Sequence, residues 1–162
     1  MNDSSRKKIM DSFIKLMERE SENDDEKLWL MQKSNHDAIT ELIKGMTTLM
    51  LHVLDGIGRF EPVNGITISR QLNIPKGSVS KITRKLIAKK LITAEFLPNN
   101  KKEVLYLTTP IGQELVNLHQ ELHKEMEKNF DDFLHKYSES ELLVISAFLQ
   151  DLADTTFVTL EK

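Results

Sequence analysis

Residues 73–108 read NIPKGSVSKITRKLIAKKLITAEFLPNNKKEVLYLT. Asn73-Ile74-Pro75 is a turn, and Pro75 suits the first position of a following helix, where its fixed φ fits and its missing N–H costs nothing. Val79, Ile82 and Leu86 then recur at steps of three and four, one face of a helix running to about Lys89. From Leu91 to Leu97 that period is lost. Ile92, Ala94 and Phe96 alternate with Thr93, Glu95 and Leu97, as in a strand. Pro98-Asn99-Asn100-Lys101 is a turn cluster, since Asn tolerates positive φ. Glu103–Thr108 alternates again, so the two strands form a hairpin.

Upstream, Asn64 can cap a short helix carrying Ile66, Ile68 and Leu72. The order is then short helix, turn, helix, hairpin, which predicts a winged helix-turn-helix. In such a unit the second helix enters the DNA major groove by its N-terminal half. Val79, Ile82 and Leu86 would hold it on the domain. Lys76, Ser78, Ser80, Lys81, Arg84 and Lys85 would face phosphates and base edges, and Gly77 would let the backbone come close. At the wing tip, Asn99, Asn100, Lys101 and Lys102 would reach phosphates or the adjacent minor groove.

The charge distribution agrees. The 162 residues hold 22 Lys+Arg against 25 Asp+Glu, a net charge of −3 that by itself disfavours a polyanionic partner. Asn64–Thr108, however, holds nine bases against two acids, +7, leaving thirteen bases against twenty-three acids, −10, elsewhere. A basic middle between acidic ends points to a local polyanion site.

The flanks read as helices. Ser5–Glu20 carries Ile9, Phe13, Leu16 and Met17 on one stripe. After the polar break Ser21–Glu26, a second helical stretch contains Leu28, Trp29 and Met31, interrupts at Ser34-Asn35 and continues through Ala38, Ile39, Leu42 and Ile43. Gly45 suits its end in a left-handed conformation. Thr47 or Thr48 caps an apolar helix through Leu49–Ile57. Thr109-Pro110 starts a long helix to about Lys136, with a stripe of Ile111, Leu115, Leu118, Leu122, Met126, Phe130, Phe133 and Tyr137. Ser138-Glu139-Ser140-Glu141 fits a capping box, opening a last helix with Leu142, Ile145, Leu149 and Leu152 on one side and Val144, Phe148 and Phe157 on the other.

The expected fold is mainly α with a small β-hairpin wing: a winged helix-turn-helix plus long dimerisation helices. Residues 1–46 and 109–162 form the N- and C-terminal dimerising parts, and 47–108 form the DNA-binding domain. The apolar run Gly45–Leu54 stops at Asp55, well short of the ~20 residues of a membrane span. The polar N-terminus has no apolar signal core, so a cytoplasmic protein without a membrane partner is expected. With no Cys there is no thiol nucleophile and no Cys-ligated zinc. No catalytic signature or phosphate loop stands out, so no enzyme is expected.

The same order resembles the MarR family of bacterial transcription regulators over roughly Leu42–Leu118. The resemblance rests on Met46–Leu54, on Ile74-Pro75-Lys76-Gly77-Ser78-Val79-Ser80, on Leu91-Ile92, and on Tyr106-Leu107-Thr108-Thr109 to Gly112. It implies a homodimer with interlocking terminal helices, bound to a pseudo-palindromic double-stranded DNA operator, mostly as a repressor, and answering a small-molecule or metal effector. Two positions depart from the family. Asn99-Asn100-Lys101 stands where the wing carries Asp-x-Arg, and Lys cannot make the bidentate contacts of Arg. Lys90 stands where a Gly usually follows the recognition helix. A winged-helix interaction module without autonomous DNA binding is the alternative.

His52, His119 and His123 match three ligand positions of the family's zinc-sensing branch. His119 and His123 are one helical turn apart, so both can bind one ion, and His36 lies nearby in sequence beside Asp37. These histidines can equally be structural, with an organic effector instead. The absence of Cys excludes the thiol-oxidation sensing of another branch.

Overall fold

The computed structural model describes residues 3–22, 25–97 and 100–157, with side chains described for all of these except 3, 17–22, 97 and 100–102. The order is α1 (Asp3–Glu22), α2 (Asp25–Lys33), α3 (Asp37–Lys44), α4 (Thr48–Phe60), β1 (Val63–Asn64), α5 (Gly65–Gln71), α6 (Lys76–Ala88), β2 (Ile92–Leu97), β3 (Asn100–Thr108), α7 (Pro110–Leu134) and α8 (Glu139–Asp154). The fold is the mainly helical winged helix-turn-helix expected. No helix among the described residues is long and apolar enough to cross a membrane.

The helix starts follow the capping residues. The Thr47 side chain accepts from the Met50 N–H, and the Asn64 side chain accepts from the Thr67 N–H. Ser138 and Glu141 form the full capping box. Thr109 accepts from the Gly112 N–H at 3.1 Å, opening α7. Each satisfies an N–H that the first turn of a helix leaves without an intrahelical partner.

Several expectations are corrected. Pro75 is the cap residue, and α6 starts one place later, at Lys76. Gly45 ends α3 at φ −88, not left-handed. A Cβ there would come within 2.7 Å of Lys89 Nζ, the far end of a flexible side chain that can move aside. Asn100 and Lys101, read as turn residues, belong to β3; α7 ends at Leu134, short of Lys136 and Tyr137, and α8 ends at Asp154, short of Phe157. The two-residue β1 was not expected. It pairs Val63 with Tyr106, so the sheet has the order β1-β3-β2, and it is too short to show any alternation.

The chain divides into two compact units, Met1–Leu122 and His123–Lys162. In the first, α4 is the central element. Met50, Leu51, Val53, Leu54 and Ile57 are buried, together with Leu30, Ile43, Ile68, Val79, Ile82, Leu86, Leu91 and Leu115. The wing registers Ile92 against Thr108 and Phe96 against Val104, with an irregularity between Phe96 and Leu97. Within α1, Ile9, Met10, Ile14 and Leu16 are exposed.

In the second unit, the end of α7 and α8 enclose a groove of about 480 Å³ lined by Phe130, Leu134, Leu142, Ile145, Leu149 and Ala153. No residue of α8 is buried, and Leu143, Val144 and Phe148 are exposed.

Candidate nucleic-acid interface and effector site

Helix α6 sorts its side chains as its period requires. Val79, Ile82, Thr83 and Leu86 are buried, whereas Lys76, Gly77, Ser80, Lys81, Arg84 and Lys85 are exposed and Ser78 is half-buried. The result is a basic, hydroxyl-bearing outer face held by an apolar inner one. Arg84 Nε donates to the Ser80 carbonyl at 3.1 Å, which lays the guanidinium along the helix and leaves its other donors to face outward. A Cβ on Gly77 would meet nothing within 4 Å, so the room that glycine leaves opens to the outside.

Two contacts anchor α6 to its neighbours. The turn before it is closed by Ser69, whose hydroxyl donates to the Ile74 carbonyl at 2.6 Å. On the wing side, the Thr83 hydroxyl lies 3.4 Å from the Tyr106 hydroxyl. The wing root is fixed as well. The Glu61 carboxylate accepts from the Thr108 N–H and from its hydroxyl at 2.8 Å, and the Thr109 hydroxyl donates to the Lys90 carbonyl at 2.7 Å. Asn99 lies outside the described residues, as do the side chains of Asn100, Lys101 and Lys102.

A second site lies in the same unit. The Glu26 carboxylate, at the start of α2, is its centre. Glu26 Oε2 lies 3.1 Å from His52 Nε2 on α4 and 3.9 Å from His119 Nε2 on α7. The two imidazole rings are 5.5 Å apart. His119 is 2% exposed, and its other nitrogen, Nδ1, faces Asp55 Oδ1 at 3.6 Å. Arg59, one turn further along α4, reaches Asp55 Oδ2 at 2.6 Å. His123 follows His119 by one turn of α7, with their ring nitrogens within 4.8 Å.

The electrostatics follow from this geometry. The rings of His119 and His52 hold the Glu26 carboxyl well below the usual carboxylate range, against the opposing effect of burial. For His119, burial disfavours the charged ring, but the Asp55 and Glu26 carboxylates outweigh it and raise its pKa above the usual histidine value.

His36 lies elsewhere. It is the exposed N-cap residue of α3, with Nε2 3.4 Å from Glu114. The sequence reading missed Glu26 and Asp55. Asp55 carried a usable signal, an acid inside the buried run Met50–Ile57, because carboxylates are almost never fully buried unless paired. Glu26 fell in a polar run with no period, and its contacts span a separation of 26 residues.

Taken together, a basic recognition helix, a wing and a helix-turn-helix define a winged helix-turn-helix DNA-binding protein, and comparisons with known proteins agree. The chain is 33% identical to the HTH-type transcriptional regulator PchR of Bacillus subtilis (strain 168) over 156 residues, covering 96% of this chain and 91% of that protein. It is 33% identical to the uncharacterized HTH-type transcriptional regulator YhjH of the same organism over 117 residues, covering 72% of this chain and 67% of that protein. Among solved structures, the zinc-responsive MarR family member ZitR of Lactococcus lactis aligns with a TM-score of 0.72 at 21% identity, covering 92% of this chain and 96% of that one. Wild-type ZitR in complex with DNA gives 0.71 at 23%, covering 95% and 97%. The adhesin competence repressor AdcR of Streptococcus pyogenes gives 0.68 at 16%, covering 92% and 96%. No family model matches the chain. The chain belongs to the MarR family of winged helix-turn-helix transcriptional regulators.

Proposed function

We propose that the protein is a homodimeric, cytoplasmic repressor that reads a pseudo-palindromic operator and whose DNA affinity is set by a metal ion, with no catalytic role. The exposed basic face of α6 over its buried apolar face carries the DNA reading. Ser78, Ser80, Lys81 and Arg84 suit base edges and nearby phosphates, while Lys76, Gly77 and Lys85 suit the backbone. Asn99, Asn100, Lys101 and Lys102 of the wing are assigned to phosphates or the minor groove. The exposed apolar residues of α1, α7 and α8 supply the surface for the second copy, which gives two recognition helices for two half-sites.

The donor set favours zinc as the effector. His52, His119 and His123 with Glu26 provide three imidazole nitrogens and one carboxylate, hard-to-borderline ligands in the number that a four-coordinate zinc site takes. Bound there, the ion would supply charge that ties α2, α4 and α7 together. His36, paired with Glu114, is left out of this set. That the AdcR and ZitR folds resemble this one, and that ZitR is zinc-responsive, supports the reading.

Selecting bound duplexes from a random pool, with zinc and then with a chelator, tests it. The expected result is an inverted repeat with half-sites about one helical turn apart, enriched differently in the two arms. A pool that stays random overturns the DNA reading and favours an interaction module. Equal enrichment in both arms overturns the zinc reading alone.

A further inference from the structure

Asp55 lies outside the donor set just described, yet among the described residues it is the one buried carboxylate, 3% exposed. An isolated buried carboxylate is costly unless paired, and here each of its oxygens has a different task. Oδ2 meets Arg59 Nη2 at 2.6 Å, one turn along α4. Oδ1 faces His119 Nδ1 at 3.6 Å. The opposite nitrogen of that ring, Nε2, is the one turned toward Glu26, whose same oxygen also meets His52.

A neutral imidazole carries one N–H and one lone pair, and only the lone pair can ligate a metal. Which nitrogen keeps the proton is therefore decisive for His119. A carboxylate on the Nδ1 side favours the proton there, and Arg59 holds that carboxylate in place through its other oxygen. The lone pair is then left on Nε2, on the side of Glu26. Charged and titratable groups facing His119 are Glu26 from α2, His52 and Asp55 from α4, and His123 on its own helix.

We infer that Asp55, held by Arg59, is a positioning residue that fixes the His119 tautomer and leaves Nε2 ready to bind a metal ion. The inference rests on the zinc reading above and deepens it. A carboxylate that faces the far nitrogen of a ligating histidine orients the ring and raises its basicity, and its loss costs about 10–100-fold in metal affinity.

The test uses the full chain. In the metal-free protein at alkaline pH, imidazole ¹⁵N spectra are expected to show His119 as the Nδ1–H tautomer, and Asp55→Ala is expected to mix the two forms. Zinc affinity by chelator competition is expected to fall about 10–100-fold in Asp55→Ala. Asp55→Asn keeps an acceptor oxygen and should fall less, and it decides the matter if Asp55→Ala does not fold. A wild-type His119 carrying its proton on Nε2 overturns the inference. So does zinc binding that His52→Ala abolishes but both folded Asp55 variants leave unchanged. A wild type that binds no zinc instead overturns the zinc reading, and with it the role of Asp55 toward an ion.

Discussion

Gly112, in the first turn of α7, lies against the Leu91 carbonyl so closely that a Cβ would stand 1.9 Å from its oxygen. Leu91 is the residue between the end of the recognition helix and the wing, and its carbonyl also accepts from the Thr109 N–H at 3.0 Å. The obstacle is backbone, which cannot turn aside as a side chain can. Gly112→Ala is therefore expected to destabilise the fold by about 3 kcal/mol. Urea unfolding should show a lower midpoint at an unchanged slope, and an unchanged midpoint would remove the contact's importance.

Lys90 gives the opposite prediction. Its φ is 57, left-handed, and its N–H donates to the Ile87 carbonyl while the Leu91 N–H donates to the Leu86 carbonyl. This pair of bonds is a Schellman ending, which favours glycine. Lys90→Gly should stabilise the protein, by up to about 1 kcal/mol after the added freedom of the unfolded chain is counted. A fall in melting temperature would contradict it.

Stability of the metal-free protein should depend on pH through the Glu26–His119–Asp55 group. His119 has a folded pKa above its ordinary 6.5, so its contribution is complete below 6.5 and disappears as pH rises through the folded value. Glu26 has a folded pKa below its ordinary 4.5, so its contribution is present above 4.5 and disappears as pH falls. The two together are greatest between 4.5 and 6.5. Denaturation across pH in chelator should show the alkaline decline, and His119→Gln should flatten it.

On DNA, two classes of substitution should separate. Lys101→Ala is expected to weaken binding across sequences and to lower the salt slope by about one. Ser78→Ala and Arg84→Ala should instead change the preference among operator variants, by about 1–3 kcal/mol at the affected base pair. Fluorescence anisotropy over a salt series with several duplexes measures both. Identical behaviour of the classes would refute the division into phosphate and base contacts.

The exposed residues of α8 carry a prediction about assembly. Phe148, 48% exposed, is expected to be buried against the second copy, so Phe148→Asp should cost about 2 kcal/mol of association, near thirtyfold in the dimer dissociation constant. Sedimentation would read this as a shift toward monomer with helix content unchanged. A variant that sediments like the wild type would place the dimer surface elsewhere.

Local chemistry explains how much of this was legible in the sequence. Thr47, Asn64, Thr109 and Ser138 act within a few residues of themselves, so each helix start was visible. Val79, Ile82 and Leu86 revealed the buried face of α6 by period alone. The charge split within residues 64–108 pointed to the segment that carries the exposed basic face of α6. The second site was legible only in part, because His52 and His119 stood out by type whereas Glu26 and Asp55 acquire their roles from packing between distant segments. β1 owes its existence to β3, and two residues cannot display an alternation.

The contact between Gly112 and Leu91 has a mechanical consequence. His119 lies seven residues along α7 from Gly112, two turns and about 10 Å of unbroken helix. With no slack at the Leu91 carbonyl, α7 cannot slide there without displacing the exit of the recognition helix. If the ion proposed for the histidine end shifts α7, the tight Gly112 contact would pass that shift to the exit of α6 like a crank.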